Sequence, residues 1–222
     1  MLLAGCSVST NDVDRANYAV TAAWQTEFDD ALARDGTRTY PTADDKTFDA
    51  LVATFVRLRF VLQRRDRPNK GVDGEVLAVA PWPAPLTREE WQRAADVEIP
   101  RMREVIAEEI GELKASMFTI IPENHRIVIA ARVGRTSGGT QISLAPRLAY
   151  IGPYSGVHVS PLPPSPARPL DTVGPYLDVH ITPFPSPTAT RLLLAKMWLT
   201  LEQELQDHGF RIDAPSNPGR GT

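Results

Sequence analysis

A single cysteine, Cys6, stands in 222 residues, so the chain can form no internal disulfide and a fold of this size has to be held by its core. Histidine is scarce as well. His125, His158, His180 and His208 fall at no spacing that gathers zinc ligands, and one thiol cannot complete such a set, so no metal is expected. An excess of one charge is also missing: 24 Lys and Arg against 27 Asp and Glu leave −3, which gives no electrostatic footprint for nucleic acid. No apolar run approaches the ~20 residues that a helix needs to cross a bilayer, so any membrane attachment has to come from elsewhere.

Catalytic motifs are equally thin. Gly134-Arg135-Thr136-Ser137-Gly138-Gly139-Thr140 is glycine-rich, but a phosphate-cradling loop needs a Lys-Ser/Thr pair opening a helix, and strand-like residues flank this one. The same residues suit a β-hairpin turn. No G-x-S-x-G elbow occurs, and Ser155-Gly156-Val157-His158 is too local for a triad whose members meet through the fold. No catalytic residue and no cofactor is assigned, and the chain reads as a non-enzyme.

What is present is an ordinary folded composition, 42% hydrophobic and 23% charged, with length for one domain of roughly 150–200 residues plus tails. Residues 7–14 are small and polar and read as a tether. Tyr18, Ala22, Phe28 and Leu32 recur at loosely helical spacing over 13–34, and Gly36 ends that helix before the strand-like Thr37-Arg38-Thr39-Tyr40. Thr42 or Asp44 caps a helix whose Phe48, Leu51, Val52 and Phe55 fall at i, i+3, i+4 and i+7. Two short β-type runs, 60–65 and 74–80, flank the turn residues Arg67-Pro68-Asn69-Lys70-Gly71 and predict a hairpin. Thr87-x-x-Glu90 is a capping box opening a helix that Pro100 kinks or splits, with Met102, Val105, Ile106, Ile110 and Leu113 on its apolar face.

Beyond it, Ile127, Ile129, Ala131 and Val133 alternate as in a half-buried strand, a turn follows at Ser137-Gly138-Gly139, and 141–151 returns. Further strands are read at 156–160 and 176–182. Between them lie Pro161, Pro163, Pro164, Pro166 and Pro169, an extended segment unable to join a central sheet. Ser186 caps and Pro187 opens a broadly apolar last helix that runs to His208 and stops at Gly209. The organisation is therefore a leader remnant and tether over 1–14, one domain over 15–212 and a disordered tail over 213–222. The element order predicts α+β: an antiparallel sheet with helices packed on one face and a long C-terminal helix.

Leu3-Ala4-Gly5-Cys6 resembles the lipobox of bacterial lipoproteins, in which small residues precede a cysteine that is acylated and becomes the first residue of the mature chain. Only five residues precede Cys6, too few for the charged and apolar regions of a signal peptide. The resemblance implies a lipid anchor such as palmitate on Cys6, a place in the bacterial cell envelope with the domain in the periplasm, and, with Ser7 after the cysteine, the outer membrane over the inner. As the sole thiol of an exported chain, Cys6 has no disulfide partner, and acylation accounts for it. The element order and the 58–74 helix–hairpin junction also resemble the helix-grip domains of BamC-type envelope lipoproteins.

Two surfaces invite a function. Trp82, set among prolines, and the proline strip with Pro163 and Pro164 are candidates for contact with an envelope protein partner, which makes the domain an accessory or structural subunit. The alternative is a periplasmic carrier of a small ligand or lipid, with a pocket lined by Phe48, Leu51, Phe55 and Trp198. An exported enzyme is the remaining alternative.

Overall fold

The computed structural model describes residues 8–120, 123, 125–150, 181–183 and 186–210. Cys6 and its lipobox, the strand expected at 156–160, all but the end of that at 176–182, the proline strip with Pro163 and Pro164, His158, His180 and the tail at 213–222 lie outside them.

The described residues open on a long helix, α1 (Thr10–Asp35), that begins inside the expected tether. Ser9 accepts from the Asp12 backbone N–H while the Asp12 carboxylate accepts from Ser9, a reciprocal capping box, so the polar run serves the helix end. β1 (Thr37–Tyr40) and α2 (Asp44–Arg57) follow. Neither Thr42 nor Asp44 caps α2. Ala43 holds that position without a side-chain bond, while Thr42 Oγ1 is bonded to Thr47 and Asp44 serves the first turn as an acidic residue.

The hairpin of β2 (Val61–Asp66) and β3 (Gly74–Ala80) forms as the turn residues predict, with a register shift between Leu62 and Arg64. α3 (Arg88–Ile110) starts on the Thr87–Glu90 capping box and runs unbroken through Pro100. The expected split is absent because Trp91, Ala94 and Ala95 bury one side of the proline and Met102 and Ile106 the other, so packing holds both halves in one helix. Leu113, expected on its apolar face, falls instead in the short α4 (Glu112–Ala115) and is 60% exposed.

β4 (His125–Thr136) and β5 (Gly139–Tyr150) make the longest ladder, closed by the glycine-rich turn. Gly139 has φ +128°, and a Cβ there would strike the Tyr40 carbonyl, so the turn and β1 fit only around glycine. β6 (Ile181–Pro183) pairs with β5, and α5 (Pro187–Asp207) closes the described chain, with Ser186 accepting from Ala189 N–H at its start and Gly209 at φ +85° past its end.

The sheet is antiparallel in the order β1-β5-β4-β3-β2, with β6 also on β5, and the protein is α+β. Val76, Ala78 and Ala80 of β3, Ile127, Ile129, Ala131 and Val133 of β4, and Ile142 and Leu144 of β5 share one buried face. On it pack α2, α5, the first part of α3 and the end of α1. A second, smaller core lies apart from the sheet: Ala16, Val20 and Trp24 of α1 meet Met102 and Ile106 of α3, Ala115 of α4, and Phe118. The two long helices are thus a stalk whose base joins the sheet and whose tip carries its own apolar centre.

Candidate functional site

Phe48, Leu51, Phe55 and Trp198 are brought together, but as core. Each is at most 1% exposed, Phe55 meets Phe60 edge-on at 5.1 Å, and the Trp198 indole donates to the Asp35 carbonyl at 2.6 Å. The space expected to hold a ligand is filled by protein, because α5 lays its apolar side across the α2 stripe. Arg38 covers the Trp198 ring at 5.2 Å and pairs with Glu202. Tyr40 is shut in beside that pair, and burial first, then the Glu202 carboxylate, pushes its phenol above the ordinary value.

Trp82 is not the exposed anchor that its prolines imply. It is half-buried against the main core, its indole N–H is buried without a hydrogen-bond partner, and the Arg88 guanidinium covers its ring at 4.8 Å. Trp91, 8% exposed, donates to the Pro83 carbonyl at 2.8 Å and so ties the proline turn to α3.

A cleft of about 490 Å³ lies between the α2 N-terminus, the β2–β3 loop and the end of β4, where sequence patterns gave no sign of one. Its charged wall is made of Asp44, Asp45, Asp73, Lys70 and Arg135. Asp44 is already engaged: it accepts from Thr140 Oγ1 at 2.9 Å and pairs with Arg135 Nε at 3.0 Å. No hydroxyl, thiol or imidazole lines it, and its polar groups are carboxylates, the Lys70 amine, the Arg135 guanidinium and the Asn69 amide. Among the described residues no three His, Cys, Asp or Glu side chains converge as metal ligands.

Two ionic clusters hold the stalk. At its base, Glu98 is fully buried, accepts from the Thr188 backbone N–H at 3.0 Å and thereby ties α3 to the N-terminus of α5. Its second oxygen has no hydrogen-bond partner and lies 3.7 Å from Arg101, which is bonded to Glu27 of α1; the Glu27 contact raises the guanidinium's proton affinity further. Glu90 adds a link by accepting from Lys196 at 2.7 Å. Burial alone would raise its pKa, but the Lys196 bond and the Thr87 N–H outweigh it and hold the carboxyl below the ordinary range. At the tip, Lys114 of α4 donates to the buried Asp12 at 2.8 Å, and Arg15 pairs with Glu109 at 3.1 Å. The Lys114 bond, with the Ser9 backbone N–H and hydroxyl, holds the Asp12 carboxyl well below the usual carboxylate range.

The tip is also where the described chain begins, two residues after Cys6, with Val8 packed on the smaller core. Leu113, 60% exposed, and Met117, 38% exposed, are uncovered apolar side chains there, and Tyr18 of α1 is 72% exposed. Ser9-x-x-Asp12 followed by Val13, Ala16 and Val20 is the sequence pattern that would have placed the helix start here. No helix among the described residues is long and apolar enough to cross a membrane. Comparison with known families, characterised proteins and solved structures finds no match to this chain.

Proposed function

We propose that the chain is a bacterial envelope lipoprotein, acylated on Cys6, whose domain is a non-catalytic accessory or structural subunit of a membrane-associated protein complex. The observation that carries this reading is the Leu3-Ala4-Gly5-Cys6 run, which sets small residues before the only thiol of the sequence. Acyl chains on that sulfur would hold the protein by about 0.8 kcal/mol per buried CH₂, and two or more chains anchor stably where one does not. Ser7 after the cysteine favours the outer membrane, with the domain in the periplasm.

For the partner contact, Trp82 is a weak choice, since Arg88 and the core cover it. The β2 edge, unpaired among the described residues, is a weak one too, because its register shift and Arg64, Arg65 and Asp66 blunt it against strand addition. The proline-rich run with Pro163 and Pro164 is the contact that remains proposed, since its composition suits an aromatic-lined groove. Purification of the tagged, acylated protein from gently solubilised membranes tests the role. A partner in fixed stoichiometry, lost on deletion of residues 161–169, is expected. A chain that migrates alone through every detergent would contradict it.

A further inference from the structure

We infer that the tip of the stalk rests on the bilayer itself, with Leu113 and Met117 entering the headgroup layer and the sheet held away from it. The inference rests on the acylation of Cys6 proposed above, and adds to it an orientation.

Its first support is reach. Ser9, the cap of α1, is three residues from Cys6, and an extended chain advances at most ~3.6 Å per residue, so the cap stays within about 11 Å of the acylated sulfur's backbone. The second is rigidity. The Ser9–Asp12 capping box, the Asp12–Lys114 and Arg15–Glu109 pairs and the smaller core fix the helix start to α3 and α4, leaving no long polar tether over which the domain could swing. The third is length: 26 residues of helix at 1.5 Å per residue make α1 about 39 Å long, and its far end, with Phe28, packs in the main core. An anchor at one end of such a rod lets the other end stand as much as that length from the lipid when the tip rests on it.

Leu113 and Met117 flank the very lysine that bonds Asp12, so they stand at the anchored end. Charge does not draw this end to lipid. Lys114 and Arg15 are matched by Asp12 and Glu109, and the exposed Asp14, Glu108 and Glu112 leave the tip acidic. The contact is therefore apolar and suits zwitterionic lipid. A weak contact suffices, because the anchor makes the second binding event intramolecular.

The natural acylated protein in phosphatidylcholine vesicles provides the test, with an environment-sensitive thiol dye placed in turn at Leu113→Cys, Met117→Cys and, in the β2–β3 loop, at Val72→Cys. An acylated Cys6 is a thioether and takes no dye, so labelling stoichiometry and the N-terminal mass report the anchor separately from the orientation. Blue-shifted emission at 113 and 117 relative to 72, several-fold stronger quenching there by a headgroup-borne quencher, and no change between low and high salt are expected. Acylated, vesicle-bound protein whose dyes at 113 and 117 are as wet as at 72 would overturn the orientation and leave the anchor standing. A blue shift that the lipid quencher does not touch would point to protein contact and overturn it too. A free Cys6 thiol would overturn both.

Discussion

Ser9 and Asp12 carry more of the structure than their place near the chain's start implies. The Ser9 hydroxyl satisfies one of the four N–H groups that a helix start leaves open, and Asp12 answers both Ser9 and Lys114. Ser9→Ala is expected to cost about 1 kcal/mol and to speed amide exchange in the first turn of α1, with the sheet amides unchanged. Asp12 has a pH consequence of definite sign. Its carboxyl is held below the ordinary range, so it adds stability that is fully present above the unfolded value near ~3.9 and is lost only as pH falls through the lower folded value. Its carboxyl carbon resonance should stay flat across the usual Asp range around pH 4, and a midpoint there would show that the Lys114 and Ser9 bonds do not form in solution.

At the scale of elements, the reading succeeded where one segment's pattern decided the outcome. The i, i+3, i+4, i+7 run of Phe48, Leu51, Val52 and Phe55, the Thr87–Glu90 box, the Ser186-Pro187 start and the alternation through Ile127 to Val133 each specify an element from adjacent residues. It failed where one local pattern has two outcomes. Small polar residues serve tethers and helix caps alike, and only the Ser9–Asp12 spacing separates them. Pro100 weakens a helix locally, and the two cores that flank it along α3 draw residues from distant segments, α1 in the smaller core and the sheet, α2 and α5 in the larger. The apolar stripe of α2 was legible as buried, but whether it lines a pocket or fills a core depends on Trp198 and its neighbours on α5. Phe55→Ala decides that point by a second route: a core position loses about 3–5 kcal/mol, read as a lower denaturation midpoint at unchanged m-value. A loss below ~1 kcal/mol would restore a pocket to the α2–α5 seam.

On the scale of the whole molecule, the described residues form two parts. One end is a sheet layered with α2 and α5, and the other is a two-helix stalk whose tip starts just after the proposed lipid attachment. That division was hidden from the sequence because the contacts that build the tip, Asp12 with Lys114 and Arg15 with Glu109, span about a hundred residues. The cleft beside Asp44 was hidden for the same reason, its walls coming from three separated segments. The proposed anchor is the reverse case, since four consecutive residues carry the whole argument for it. It is tested most directly by the intact mass of the native protein's N-terminal peptide, taken from membranes of the producing cell. The account predicts a peptide that begins at Cys6 and carries the added mass of a diacylglyceryl group, with or without a third acyl chain. A peptide that retains Met1 to Gly5 with an unmodified thiol, recovered from the aqueous fraction, would contradict it.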